Sequence, residues 1–415
     1  MDVEHTLRSI TTKQSLSDSW QVEIFDLSCA TQRDKLQSYF ELGRVAGVHD
    51  TLESQLIDYL RSANPGSKVT DAELTDAFLH DHDIDSLINY GVWVFYPWSG
   101  SLVHTLPETL FHSLRTDRNR HKISHQEQEQ LRAATVGILG LSAGMAVATC
   151  MVLEGVGGRF HIADFDTLGL SNLNRIQASI VDIGVAKTVV AARSMLEMNP
   201  FLDIQVFPHG ITEENIDEFF GEDAKLDIVV EECDSLWMKV RVREEARRRG
   251  IPVVMETSDR GLVDVERFDL ENDRSIFHNL IGDTNSESIK ELSATERIGF
   301  VLKILGAEQI SPNASASLLE IGHSISTWPQ LGSSVIAGGA VVTDVVRRIL
   351  LNSFTDSGRF SVDIETIISD GTGTFKRASE YQTKESCSSD QLRKGPPEEV
   401  KRSRLIKEGF SPNKH

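Results

Sequence analysis

The chain has 415 residues, 40% of them apolar and 25% charged, which suits two or three soluble domains that bury a core without disulfides or metals. Its 42 Lys and Arg against 62 Asp and Glu give a net charge of −20, which argues against a general nucleic-acid binder or a protein of anionic membrane surfaces. Cys29, Cys150, Cys233 and Cys387 stand far apart with no CxxC pair, the N-terminus is polar, and no apolar run of about 18 residues occurs, so the expectation is a cytoplasmic protein with free thiols and no membrane partner.

Leu52, Leu56, Ile57 and Leu60 predict a helix over Asp50–Asn64, stopped by Asn64-Pro65-Gly66. A second helix is predicted over Asp71–Leu79, with Thr70 or Asp71 as cap and Glu73 near the capping-box position. Gly91–His104 carries aromatic and β-branched residues on both sides of Pro97-Trp98-Ser99-Gly100 and reads as a hairpin. Trp93, Tyr96 and Trp98 are expected in the core of a small mixed α/β domain, residues 1–114. His80-Asp81-His82-Asp83 has metal-ligating residue types at adjacent positions without further ligands, and reads as a solvated acidic loop.

A basic stretch with Arg115, Arg118 and Arg120 precedes a polar helix over His125–Ala134. From Thr135 apolar strands alternate with helices: TVGILGL, RFHIADF, DIQVFPH, LDIVVEEC and IPVVMET are separated by helical stretches ending near Gly155, Met198, Phe220 and Gly250. That alternation predicts an α/β fold with a parallel, doubly wound, Rossmann-like sheet. Beyond residue 261 a helix is predicted over Glu287–Leu305, a loop over Ile310–Ser317, an apolar helix over Ser334–Leu351 whose Gly338-Gly339 suits close packing, and one or two last strands in Arg359–Asp370. Residues 115–383 are assigned to one nucleotide-binding domain and the polar residues 384–415 to a flexible C-terminal tail.

Val136–Gly144 runs from a strand through a glycine turn into a helix. Such a turn lets the backbone approach a phosphate at a helix N-terminus. The spacing Gly140-Leu-Ser142-Ala143-Gly144 is not GxGxxG, and close strand–helix packing would also select it. The next strand ends at Asp164, where a carboxylate commonly takes ribose hydroxyls. Together they favour nucleotide binding.

Asp164–Ile176, DFDTLGLSNLNRI, resembles the DxDxVxxSNLxRQ segment of the ubiquitin-activating-enzyme-like adenylyltransferases, the family of the ThiF and MoeB proteins. Gly184-Val185-Ala186-Lys187 resembles that family's GxxK, and Glu232-Cys233-Asp234-Ser235 its DxxDN, in the same order. The resemblance covers roughly residues 115–352. The chain departs from the family at the turn, where Ser142 stands in a usually glycine-rich run, and at Ile176 and Ser235, which replace Gln and Asn. With RTDRNRHKI and ETSDRG it resembles a bacterial subgroup with a GLSxG turn, some of whose members carry a nitroreductase-like domain that is not expected here.

What the resemblance implies is ATP-dependent adenylation of a carboxylate, such as the C-terminus of a peptide or small protein, with release of pyrophosphate. It implies Gly140, Ser142, Ala143, Gly144, Asp164, Asp166 and Asn172 as nucleotide contacts, Arg175 and Lys187 as phosphate cations, and Asp234 as ligand of Mg²⁺. Arg118 or Arg120 would reach the ATP of a second subunit, making a homodimer the active unit. Glu256, Asp259 and Arg260, after the fifth strand, would shape the substrate channel or be loop charge. Cys233 occupies a variable position and no cysteine lies between 234 and 386, so no thioester is expected on this chain. An NAD- or FAD-dependent oxidoreductase and a non-catalytic scaffold of the same fold are the alternatives.

Overall fold

Two sheets organise the chain. In the computed structural model, which describes residue 3 and residues 18–84, 86–221, 225–306 and 310–369, the first has four strands: β1 (Glu23–Phe25), β2 (Gly47–Asp50), β3 (Val92–Tyr96) and β4 (Ser101–Thr105), in the order β1-β3-β4-β2. β3 and β4 form the expected hairpin, Tyr96 facing Ser101 across it, and β2 joins β4 in parallel. Helices Leu52–Ala63 and Asp71–Asp81 lie where the periodicity puts them, the second opened by a Thr70–Glu73 capping box. His80 and Asp81 therefore end a helix and are not loop residues, and the His82 ring nitrogen Nδ1 lies 2.9 Å from the Phe78 carbonyl.

The second sheet has seven strands: β5 (Thr135–Leu139), β6 (Arg159–Ala163), β7 (Asp203–Phe207), β8 (Ile228–Glu231), β9 (Val253–Thr257), β10 (Leu262–Glu266) and β11 (Gly358–Ser361). Their order is β11-β10-β9-β8-β5-β6-β7. β7, β6, β5, β8 and β9 run parallel, as the alternation of strands and helices predicts, while β10 is antiparallel to both β9 and β11. The chain builds outward from β5 to β7 and then returns to the other side of β5 with β8. That reversal opens a crevice at the carboxyl ends of β5 and β8, where ligands bind in such sheets.

Helices Gly144–Glu154, Lys187–Met198 and Gly332–Leu350 pack on one face in a shared apolar core, and helix Leu236–Arg249 covers the other. Gly339 gives the closest approach: a Cβ there would lie 2.7 Å from the Ala146 carbonyl carbon. The two glycines of that helix thus serve packing within the protomer.

Two further expectations change. Pro312–Glu320 is a helix, started by Ser311, whose Oγ accepts from Ala314 N at 3.1 Å, with proline in the first turn where it lacks no bond. The predicted helix over 287–305 is two, Ser286–Lys290 and Ala294–Leu305, because Ser293 restarts it with a capping box to Glu296. Of the one or two last strands expected after residue 358, one forms, β11, followed by a short helix Ile364–Ile367 that opens a separate unit. The 384–415 tail lies outside the described residues.

Trp93 is buried in the core of the first sheet, stacked on His104 at 4.1 Å between centroids. Tyr96 and Trp98 reach further: their polar tips bond the Leu196 carbonyl at 3.4 Å and Glu197 Oε1 at 2.7 Å, on the helix that begins at Lys187. Among the described residues no helix is long and apolar enough to cross a membrane.

Candidate active site

β5 delivers the chain into the crevice at Gly140, whose φ of +82° needs glycine and whose absent Cβ would sit 2.6 Å from the Glu232 carbonyl oxygen. The turn is therefore pinned against the end of β8, as close packing requires. Gly144 then begins an 11-residue helix pointing its free amides and positive dipole at the crevice. The packing reading of the glycine turn holds.

Asp164, at the end of β6, ties the turn in place: its Oδ2 accepts from Leu141 N at 2.7 Å and its Oδ1 from Asp166 N at 2.8 Å. Burial pushes its carboxyl above the usual aspartate range, with the two amides and Lys187 opposing. One lone pair on each oxygen already serves the fold, which leaves the others for a ligand.

Lys187 enters the same place from the far side. Only 6% exposed, it stands at the first turn of its helix and points its Nζ back to Asp166 Oδ2 at 2.7 Å, Ser142 Oγ at 3.4 Å and Asp164 Oδ2 at 4.0 Å. A cation at a helix N-terminus opposes the dipole, so its burial there is held by the two aspartates. Ser142, the residue that departs from the family's glycines, touches the lysine.

Asn172 uses its Oδ1 to accept from Gly169 N at 2.9 Å, shaping the 3₁₀ turn of the SNLNR segment. Arg175 follows, with Nη1 on Asn174 Oδ1 at 2.9 Å. Its Nε is buried without a partner, and burial lowers its guanidinium while the nearby Asp234 charge opposes that. Asp234 is exposed and does not cap the next helix. Ser235 does, its Oγ accepting from Met238 N at 3.3 Å, so the Asp234 carboxylate stays available at the crevice.

Arg115, Arg118 and Arg120 lie elsewhere. Arg115 donates to the Val152 carbonyl near the C-terminal end of helix Gly144–Glu154, about 12 Å along the axis from Gly144. Arg120 is tied to Asp117, and Arg118 is exposed. Within one protomer the structure does not bring them to Lys187.

Beside the turn a cavity of about 340 Å³ lies among Ala143, Glu232, Asp234, Glu256, Trp328 and Gln330. Of the three charges expected to shape a channel, Asp259 is occupied, its two oxygens holding Ser311 N at 2.8 Å and Ser311 Oγ at 2.6 Å. Arg260 turns the β9–β10 connection at φ +54° and pairs with Asp363 at 3.6 Å. Glu256 stays free, and Glu232, its neighbour, is a residue sequence reasoning passed over. Its signal was a second consecutive glutamate at the end of a buried strand.

Cys233 Sγ lies 3.0 Å from Glu231 Oε1; burial and that carboxylate push its thiol well above the usual range, the wrong direction for a nucleophile. Cys387 lies outside the described residues.

The sheet order, the pinned glycine turn and the converging lysine and aspartates define a nucleotide-binding protein of the doubly wound α/β class. The chain belongs to the ThiF family, whose model matches residues 116–330. It is similar to the uncharacterised protein MT1398 of Mycobacterium tuberculosis, 43% identical over 286 residues, which are 69% of this chain and 40% of that one. It is 28% identical to the tRNA threonylcarbamoyladenosine dehydratase of Bacillus subtilis, over 37% of this chain and 60% of that one. It is 29% identical to the sulfur carrier protein adenylyltransferase of Thermus thermophilus, over 32% and 48%. The chain thus spans about half the length of the curated relatives it matches. Among solved structures, Escherichia coli MccB with ATP is similar at a TM-score of 0.41 and 13% identity, over 75% of this chain and 88% of that one.

Proposed function

We propose that this chain adenylates a carboxylate with ATP and releases pyrophosphate, the carboxylate being the C-terminus of a peptide or small protein. The observation that carries this reading is the buried Lys187 ammonium, held by Asp164, Asp166 and Ser142 at the glycine turn. A dinucleotide enzyme has no use for a lysine fixed there. A nucleoside triphosphate does, because attack on its α-phosphorus builds charge on the leaving pyrophosphate.

In this reading the amides of the turn take phosphate oxygens, and Lys187 neutralises charge next to the reacting phosphorus. Arg175, whose Nε is buried without a partner, and the NH₂ of Asn172 are further donors. Asp164 takes ribose hydroxyls through its unused lone pairs, and Asp166 releases Lys187 toward the phosphates. Asp234, an exposed carboxylate, fits Mg²⁺ as an oxygen ligand. Mg²⁺ when bound would offset the charge of the triphosphate. The high thiol of Cys233 agrees with an adenylate that is not passed to a cysteine there.

Residues 1–114 serve as a recognition domain for substrate or partner and 115–383 as the adenylation domain. A homodimer supplies Arg118 or Arg120 in trans, since neither reaches the turn in cis. Titration calorimetry with Mg-ATP and with NAD tests the reading: tighter NAD binding refutes it and restores the oxidoreductase. Absence of ATP–pyrophosphate exchange with any carboxylate, despite ATP binding, would favour a non-catalytic scaffold.

A further inference from the structure

The cavity beside the glycine turn has an unusual polar lining. Glu256 is 6% exposed, and its Oε1 is buried with no hydrogen-bond partner. Its backbone N–H donates to Glu232 Oε1 at 3.0 Å, which brings the second carboxyl alongside. The helix above leaves room for it through Gly338: a Cβ there would lie 2.4 Å from the Glu256 carboxyl carbon. Asp234 adds a third carboxyl to the lining, and the fourth, Asp259, is engaged by Ser311.

The cations nearby are engaged. Lys239 Nζ is on Glu231 at 2.9 Å, and Arg260 pairs with Asp363 at 3.6 Å. An anionic group in this cavity would meet three carboxyls. An apolar one would leave Glu256 Oε1 unsatisfied, which costs about as much as a lost hydrogen bond. A neutral amide would satisfy the oxygen and leave two adjacent carboxyls unbalanced. A charged nitrogen donor meets both demands. Burial raises the Glu256 carboxyl to about 8, and a cation beside it is the partner that would ionise it. Among the described residues no group of three His, Cys, Asp or Glu is arranged for a metal ion.

We propose that this cavity holds an amine or guanidinium group borne by the acyl substrate, gripped by Glu256 and Glu232, so that the carboxylate to be adenylated belongs to a basic residue or its immediate neighbour. This rests on the adenylation reading above and narrows its substrate class.

The test is ATP–pyrophosphate exchange by the full chain, driven by L-arginine, L-lysine and Gly-Gly tripeptides ending in each. L-citrulline, L-norleucine and their tripeptides are the neutral counterparts. The cationic series should exchange at least about tenfold faster, because norleucine leaves a buried oxygen unpaired and citrulline pairs it without supplying a counter-charge. Glu256→Gln should erase that preference, with Glu232→Gln as the second variant should the first not fold. Equal rates for charged and neutral members overturn the proposal, as does a preference that survives both variants. Exchange by none of them while calorimetry shows ATP bound also overturns it and leaves the nucleotide site standing. Failure to bind ATP overturns the adenylation reading itself, and this one with it.

Discussion

Replacing Glu256 by Gln should change the pH dependence of stability. The carboxyl is buried against Gly338 and Glu232, with Lys239 and Glu231 beyond Glu232, and burial raises it from 4.5 to about 8. A carboxyl raised in the folded state favours folding fully below about 4.5. That contribution is lost as the pH rises toward 8, because the native protein holds a proton that the unfolded chain has already released. At about 1.4 kcal/mol per pKa unit the loss is up to about 5 kcal/mol, lowered by any water that enters the cavity. The amide is uncharged at every pH, so it removes the slope. Thermal unfolding at pH 5 and pH 9, buffered at constant ionic strength, measures it. At pH 5 the two proteins should melt within a few degrees of each other. At pH 9 the variant should be the more stable, by about 2–4 °C for each kcal/mol relieved. Equal differences at the two pH values, or a variant less stable at pH 9, would refute the burial of an unpaired carboxyl.

Lys187→Ala should slow pyrophosphate exchange about a hundredfold, the scale of one lost charge-stabilising donor. It should also lower the melting temperature, because Asp164 and Asp166 lose the ammonium they share; exchange at the wild-type rate would remove Lys187 from the chemistry. Asp234→Asn should raise the Mg²⁺ needed for half-maximal exchange and leave the melt unchanged, since Ser235 is the helix cap; an unaltered Mg²⁺ curve counts against a metal ligand. Mixing an Arg118→Ala/Arg120→Ala protein with Lys187→Ala protein should restore part of the activity through one intact shared site. No recovery in verified heterodimers would mean the arginines do not act in trans.

The second sheet was legible because its parallel strands are apolar runs that alternate with helices along the chain. Lys187, Asp164 and Asp234 could be found because the turn, the SNLNR segment and the end of β8 are local features of the chain. What was not legible is short or non-local. β1 and β2 have three and four residues, too few for an alternation to show. β10 exists because Arg260 and Gly261 both adopt positive φ and fold the chain back on β9. The role of Trp98 also depends on contact: its indole belongs to the hairpin in sequence and to Glu197 in space. Glu232 stands in the segment that resembles DxxDN but has no readable role there, because its partner, Glu256, comes from the neighbouring strand.

That pair follows from strand alternation. Successive residues point to opposite faces of a sheet, so Glu231 and Glu232 cannot share an environment. Glu231 faces helix Leu236–Arg249, where Lys239 at 2.9 Å and Arg243 at 2.6 Å meet it. Burial alone would raise that carboxyl, yet the two cations bring it down to about 2. Arg243 passes the charge on to Glu266 at 2.6 Å, so the face closes on itself as a compensated network. Glu232 and Glu256 face the other way, toward Gly144 and Gly338, where Glu256 Oε1 has no partner and the nearby Lys239 is already held by Glu231. A fold able to neutralise one glutamate so completely has no structural need for two more left uncompensated one residue away. The face with the cations is built for stability, and the face without them is built to receive a charge from outside.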